Sequence, residues 1–307
     1  MITEQLQRTA EWFAARKGRL TGSQLGAALG LSPFQKPDDV MRTLVREYHG
    51  YPSEFEGNIA TDYGNKYEAQ ALECFKRNTL LDVGEVGFLP LGDRFGASPD
   101  GIVSDGAILE IKCPFGLRDK PNAEFKNILA GELPHYYAQC QMEMMAANEE
   151  KAYFVQYVPP IGDVFDSGYH PEQIDIVAFP IDTDWIAEWL PKAEAFYDRY
   201  LSELDNPAHL EPLRVEIFNH EADSMCSRID ELDASIKMLQ DERKGIIESL
   251  VSMAGGKDAL VSGRKLTKVV RKGNVNYSKA IAKLAPEITS EQLDAFRGKS
   301  SESWRLS

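Results

Sequence analysis

Between Val86 and Cys113 the apolar residues fall into short runs broken by the turn-forming segments Gly92-Asp93, Pro99-Asp100-Gly101 and Ser104-Asp105-Gly106. Gly and Asp tolerate the backbone angles of tight turns, so these runs must return on one another as strands: Val86 to Leu91, Phe95 to Ser98, Gly101 to Ser104 and Ala107 to Cys113. On either side the apolar period is helical. A helix through Trp12 and Arg16 should stop at Gly18. Thr21 and Gln24 have the spacing of a capping box, opening a helix that carries Leu25, Ala28 and Leu29 as far as Gly30. Tyr63, Tyr67, Ala71 and Phe75 stripe a helix from Ala60 to Lys76, with Glu68 beside the stripe. A further helix opens at Pro134, strands follow over Ala152 to Val158 and Ile174 to Ile181, and a helix runs from Asp184 to Leu204. Helices alternating with strands over the first two hundred residues define a mixed α/β domain.

The 307 residues suffice for one large domain or two smaller ones. Hydrophobic residues at 43% and charged residues at 27% exclude wholesale disorder and fibrous architectures. No apolar run approaches the roughly 18 residues of a membrane span. The start, MITEQLQRTAEWF, is polar and acid-containing, unlike a secretory or transit peptide, so the expectation is a cytoplasmic protein with no membrane partner. Cys74, Cys113, Cys140 and Cys226 stand far apart and the five histidines are scattered, which argues against a disulfide framework and a zinc site. The formal net charge of −14 argues against a nucleic-acid partner until its distribution is read. Residues 255–307 hold eleven Lys or Arg against five Asp or Glu, whereas residues 1–254 hold 23 against 43.

Asn206-Pro207 marks a boundary between a core over 1–206 and an extension over 207–307. In the extension Met225, Ile229, Leu232, Ile236, Leu239, Arg243, Ile246 and Leu250 alternate spacings of four and three. This is a heptad seam, broken only by Arg243, on a helix over about 216–254. Such a seam serves equally a helix folded back on its own domain and a helix pairing with another chain. Gly255-Gly256 ends it, and the basic tail over 255–307 reads as strand with alternating cations, then a short helix and the ending FRGKSSESWRLS.

Chemistry concentrates in Ser98-Pro99-Asp100-Gly101 and Glu110-Ile111-Lys112. Strand side chains repeat every two residues, so Glu110 and Lys112 project from one face. A hairpin through Ser104-Asp105-Gly106 would bring Asp100 back beside them. Two carboxylates then form a hard oxygen site for Mg²⁺ or Mn²⁺, with the Ile111 carbonyl as a third donor. Lys112 would orient or deprotonate a water and neutralise phosphate charge, which are the parts of metal-assisted phosphodiester hydrolysis. PDG is also a common turn and E-x-K a common solvated pair, yet in ILEIKC the two charges lie within a mostly apolar strand and need a reason.

SPDG followed by LEIKCPF resembles the PD-(D/E)xK nuclease superfamily, and within it the lambda exonuclease and YqaJ-type phage recombinase family. Further elements agree in order. Trp12 with Arg16-Lys17-Gly18, then Thr21-Gly22-Ser23, resemble the family's N-terminal signature; Asp62 to Glu68 resembles its G-x-x-x-E helix. Arg118-Asp119 follows CPF as the family's RD does, and Tyr136 to Gln141 resembles its Y-x-x-Q-x-Q helix. The acid that the family carries shortly before SPDG has only Asp93 near it, at altered spacing, and is not assigned.

The resemblance implies a restriction-endonuclease-like α/β core, a central mixed sheet flanked by helices, with the long-helix extension added. It implies that Asp100, Glu110, Glu68 and the Ile111 carbonyl hold metal, that Lys112 activates water and that Gln139 positions the nucleophile. Arg16 and Ser23 would line a pocket for the 5′-phosphate, with Arg118 also on the DNA. Ser23 falls in the first turn of its helix, where free N–H groups and the helix dipole attract an anion. The implied activity is Mg²⁺-dependent 5′-to-3′ exonuclease action on ends of double-stranded DNA. It would release 5′-mononucleotides and leave 3′ tails for a single-strand annealing protein. The implied assembly is a homo-oligomer, a ring-shaped trimer. The cysteine spacing speaks against an iron–sulfur branch of the fold. A structure-specific endonuclease and a noncatalytic DNA-binding scaffold are the alternatives.

Overall fold

The computed structural model describes residues 9–54, 57–165, 167–212, 217, 219–270, 273, 277–285, 288, 290–294 and 296–298. The opening residues 1–8, the helix start expected at 216 and the ending 299–307 lie outside the described residues. The chain divides into two compact units, Met1–Arg214 and Val215–Ser307.

In the first unit, α1 (Ala10–Arg16) starts at Thr9, whose hydroxyl accepts the Trp12 N–H, and the chain leaves it at Gly18 with a φ of +75°. That angle costs a residue without a Cβ least, hence the expected stop there. β1 (Leu20–Thr21) leads into α2 (Gly22–Ala28), and Gln24 Oε1 accepts the Thr21 N–H at 3.2 Å and its hydroxyl at 2.9 Å. Helix α3 (Pro37–Tyr48) was not among the expected elements. It carries Pro and two acids in its first turn and buries Val40, Met41, Leu44 and Val45. Helix α4 (Ile59–Thr79) is capped by Asn58, whose Oδ1 accepts the N–H groups of Ala60 and Thr61.

The strand region forms two sheets. β2 (Val83–Gly84), β5 (Gly101–Val103), β6 (Ile108–Lys112), β7 (Lys151–Val158) and β8 (Gln173–Pro180) form a mixed sheet in the order β2-β5-β6-β7-β8, in which β6 and β7 run parallel. A smaller sheet has the order β1-β4-β3, with β3 (Leu89–Leu91) and β4 (Phe95–Ala97). The run expected as one strand from Val86 to Leu91 is therefore shorter: the strand is Leu89–Leu91, and Val86 and Phe88 are buried ahead of it.

Alternation along β6 sorts its side chains between two helices. Leu109 and Ile111 pack with Ala71, Cys74 and Phe75 of α4. On the other face, Ile108 packs with Cys140 and Met144 of α5 (Pro134–Ala147). Glu110 and Lys112, two and four residues on, share the α5 face with Ile108. A third cluster joins α2, α3, Ala138 and Met142 of α5, and α6 (Thr183–Ser202). Each large side chain buried in these clusters contributes roughly 1.5–3 kcal/mol. Contact between α2 and α5 depends on Gly26, because a Cβ there would lie 2.6 Å from His135 Cα.

The first unit continues past α6. Arg42 donates to both oxygens of Glu54 at 2.7 Å, and to the carbonyls of Ala208 and Glu211, while Arg46 donates to the Leu210 carbonyl. The stretch after Asn206 is thereby bonded to α3.

The second unit contains α7 (His220–Met253), a hairpin of β9 (Ala259–Val261) and β10 (Arg264–Leu266), and the short helices α8 (Tyr277–Leu284) and α9 (Ser290–Asp294). The hairpin turns on Ser262 and Gly263, both at positive φ. Among the described residues no helix is long and apolar enough to cross a membrane.

Candidate active site

The hairpin β5/β6 brings the two halves of the acidic motif together. Asp100 N–H donates to the Leu109 carbonyl at 2.9 Å, and Asp100 Oδ2 accepts the Ile111 N–H at 2.6 Å. Glu110 and Lys112 project from one face as their spacing requires, and their side chains form an ion pair. From α5, Gln139 Nε2 donates to Glu110 Oε1 at 2.7 Å and to Glu143 Oε1 at 2.9 Å. Glu110 is 2% exposed and Glu143 1% exposed, so Gln139 bridges two carboxyl groups inside the protein.

The charge balance is unfavourable to full ionisation. Burial pushes the Asp100 carboxyl well above the ordinary carboxylate range, and the neighbouring Glu110 and Glu68 add to the effect against the pull of Lys112. Glu143 is raised in the same way, first by burial and then by Glu110, with Gln139 opposing. Burial disfavours the Lys112 cation, but Glu110, Tyr136 and Asp100 outweigh it and hold the ammonium protonated. Cys113, next along the chain, is pushed up to about 12 by burial and by Glu68 and Asp100. Glu68 of α4 therefore lies within electrostatic reach of Asp100 and Cys113, so the structure gathers Glu68, Asp100, Glu110, Ile111, Lys112 and Gln139 around the end of β6.

Glu143 was absent from the sequence-derived set. Its signal was an acid one helical turn after Gln139, within the otherwise apolar stretch Cys140 to Met145 apart from Gln141. His135 and Tyr136 also belong to the surroundings of the site. Tyr136 lies under the Lys112 ammonium at 4.9 Å, and its ring is tilted by 44° to the His135 ring at a centroid distance of 4.0 Å. Burial, Lys112 and Lys126 push His135 down to about 4, which leaves its imidazole neutral at physiological pH. Gln141 has a structural task, accepting the Asp182 N–H at 2.8 Å where α6 begins.

Arg16 lies over the Trp12 ring at 4.0 Å; burial lowers its pKa and Glu47 opposes the shift. The Trp12 indole N–H donates to Ser98 Oγ at 2.9 Å, which ties α1 to the turn that carries Asp100. Ser23 shares a 3.2 Å hydrogen bond with the Thr21 hydroxyl. The start of α2 abuts the site: a Cβ on Gly22 would lie 3.6 Å from the Gln139 carbonyl and 3.7 Å from Glu143 Cγ. Arg118 sits in the loop after β6, over the Phe115 ring at 3.9 Å and paired with Asp119 at 3.2 Å.

These donors suit a hard divalent cation. Glu143 Oε2 is buried without a hydrogen-bond partner, and several carboxyl groups face the single ammonium of Lys112. Among the described residues no three His, Cys, Asp or Glu side chains converge in an arrangement that could hold a metal ion by themselves. An open site of one or two carboxylates, a carbonyl and substrate phosphate is the arrangement that small, strongly hydrated cations favour.

Residues 11–150 match the family of the YqaJ-like viral recombinase domain. Among solved structures, the chain is similar to an alkaline exonuclease from Laribacter hongkongensis, LHK-Exo, with 29% identity, a TM-score of 0.51, and coverage of 64% of this chain and 95% of that one. A complex of LHK-Exo with dAMP gives 28% identity and a TM-score of 0.50, at the same coverage. No curated protein matches the chain.

Proposed function

We propose, from the match of residues 11–150 to the YqaJ-like viral recombinase domain and the site geometry above, that the chain is a Mg²⁺-dependent exonuclease degrading the 5′-ended strand of linear double-stranded DNA. It would release 5′-mononucleotides and leave 3′ tails for a single-strand annealing protein, and its cores would assemble as a ring-shaped trimer. The restriction-endonuclease-like core and the likeness to an exonuclease support hydrolysis of phosphodiester bonds. The observation that carries the reading is the buried Glu110–Gln139–Glu143 bridge beside Asp100 and Lys112. A scaffold protein gains nothing from burying several acids around one ammonium.

Asp100, Glu110 and the Ile111 carbonyl would hold the cation, with Glu68 on its outer side. When bound, the cation supplies charge stabilisation for the attacking and leaving oxygens. The chain's own groups do the rest. Gln139 holds Glu110 in one rotamer through its 2.7 Å hydrogen bond and so fixes where the carboxylate points. Lys112 brings a positive charge to the scissile phosphate and orients water beside it. The start of α2, against Gln139 and Glu143, supplies N–H groups and the Ser23 hydroxyl for a terminal phosphate, while Arg16 adds a guanidinium.

The test is hydrolysis of linear duplex DNA labelled at either the 5′ or the 3′ end, with and without Mg²⁺, on phosphorylated and unphosphorylated 5′ ends and on a closed circle. Early, metal-dependent release of the 5′ label, faster from phosphorylated ends, with the circle untouched, is the expected result. Cutting of the circle would make the protein an endonuclease, and binding without cleavage would make it a scaffold.

A further inference from the structure

The long helix of the second unit carries an apolar seam that nothing in the first unit's chemistry uses. Met225, Ile229, Leu232, Ile236, Leu239 and Ile246 are between 40% and 58% exposed, and no residue of α7 is buried. Their spacing places Ala222, Ile229, Ile236, Arg243 and Leu250 at one core position of the heptad, a, and Met225, Leu232, Leu239, Ile246 and Met253 at the other, d. A period of 3.5 residues keeps such a seam facing one neighbouring helix along its whole length only if that helix carries the same repeat. The seam's complement is therefore another heptad helix, and α7 is itself one.

We propose that α7 pairs with α7 of a second copy of this chain as a parallel, in-register, two-stranded coiled coil. Composition and charge both select this arrangement. Ile at a with Leu at d, as at 229/232 and 236/239, favours two strands over three or four. Arg228 at g and Asp233 at the following e lie opposite each other across a parallel pair, twice by symmetry. In the same register the a-position Arg243 faces Arg243 of the second copy, and Glu242 at g of each chain lies beside the opposing Arg243, so two carboxylates offset the two cations and a displaced register would lose them. An antiparallel pair centred on the seam would set these charges largely against serine and glutamine instead.

The full-length chain is examined by sedimentation equilibrium beside a Leu232→Asp/Leu239→Asp variant, with circular dichroism to verify retained helix and core. The wild type should contain an even number of copies, two, or six if the cores assemble in threes, and the variant should have half that mass. An unchanged mass, or a seam-dependent trimer, overturns the proposal. Orientation is read by charge reversal: Arg228→Glu should weaken association at least tenfold, and adding Asp233→Arg should restore it. Failure of the double variant to recover overturns the parallel register. In a Cys226→Ser background, Leu239→Cys should crosslink to itself under mild oxidation, because identical d positions face each other only in a parallel, in-register pair. Absence of that crosslink overturns it as well.

Discussion

At the scale of single residues, the site turns on how charges are shared between Lys112, Glu110, Gln139 and Glu143. Lys112→Ala should lower cleavage on the order of 10³-fold while leaving DNA binding nearly unchanged, since its charge matters most in the transition state. Single-turnover hydrolysis set against a binding titration checks this, and near-normal cleavage would remove Lys112 from the chemistry. Glu143→Gln keeps the shape and removes a buried acid whose Oε2 has no partner. The expected result is an unchanged or raised melting temperature without cation, with apparent Mg²⁺ affinity lowered about 10- to 100-fold, as for groups that orient a ligand. Unaltered Mg²⁺ affinity would make Glu143 a packing residue only. Asp100, Glu110 and Lys112 were legible in the sequence because SPDG and ILEIKC place charges where a strand should be apolar. Glu143 was not, because its meaning depends on α5 lying across β6, a contact far apart in the chain.

At the scale of elements, the site is a seam between β6 and α5, and its stability carries a pH signature. Asp100 and Glu143 titrate higher in the folded protein than in an unfolded chain. The folded form thus binds more protons across that interval, and stability contributed by the protonated carboxyls is lost as pH rises from the ordinary carboxylate range through the raised values. A divalent cation requires the deprotonated forms, so its stabilisation grows with pH. Without cation, the melting temperature should fall by a few degrees, on the order of 5 °C, between about pH 6 and about pH 8.5. Added Mg²⁺ should raise it more at the higher pH; an equal shift at both would dissociate the carboxyls from cation binding. The α2/α5 contact offers a second test. Gly26→Val would drive a side chain into the His135 backbone and should cost about 1–3 kcal/mol in urea unfolding. Of the elements, the helices and the β5/β6 hairpin were legible through period and turn residues. Helix α3 carries apolar residues at helical spacing, which is its sequence signal, and Val86 and Phe88 are buried ahead of β3 rather than within it, because burial and strand membership are separate properties.

At the scale of the whole molecule, the stretch after Asn206 belongs energetically to the first unit. A chain ending at 206 would strip Arg42 and Arg46 of three carbonyl acceptors, and breaking buried charged contacts costs about 3–5 kcal/mol. A chain ending at 214 retains them. Denaturant unfolding of the two truncations should differ by that order, and equal stability would show the carbonyls to be dispensable. Sequence by itself determined what is local or periodic: the helical and strand-like stretches, the turns, the heptad seam, and the pairing of Glu110 with Lys112 on one strand face. Its resemblance to the recombinase family also rests on short motifs legible in order along the chain. Tertiary structure alone decided which helix lies over each face of β6, and so which distant side chains meet there. Gln139 and Glu143 are 29 and 33 residues from Glu110, and their roles arise from a packing contact that local propensity does not encode. Burial then changes the chemistry, because carboxyls that would be plain anions in water are driven toward protonation, or toward a cation, once the fold removes the water.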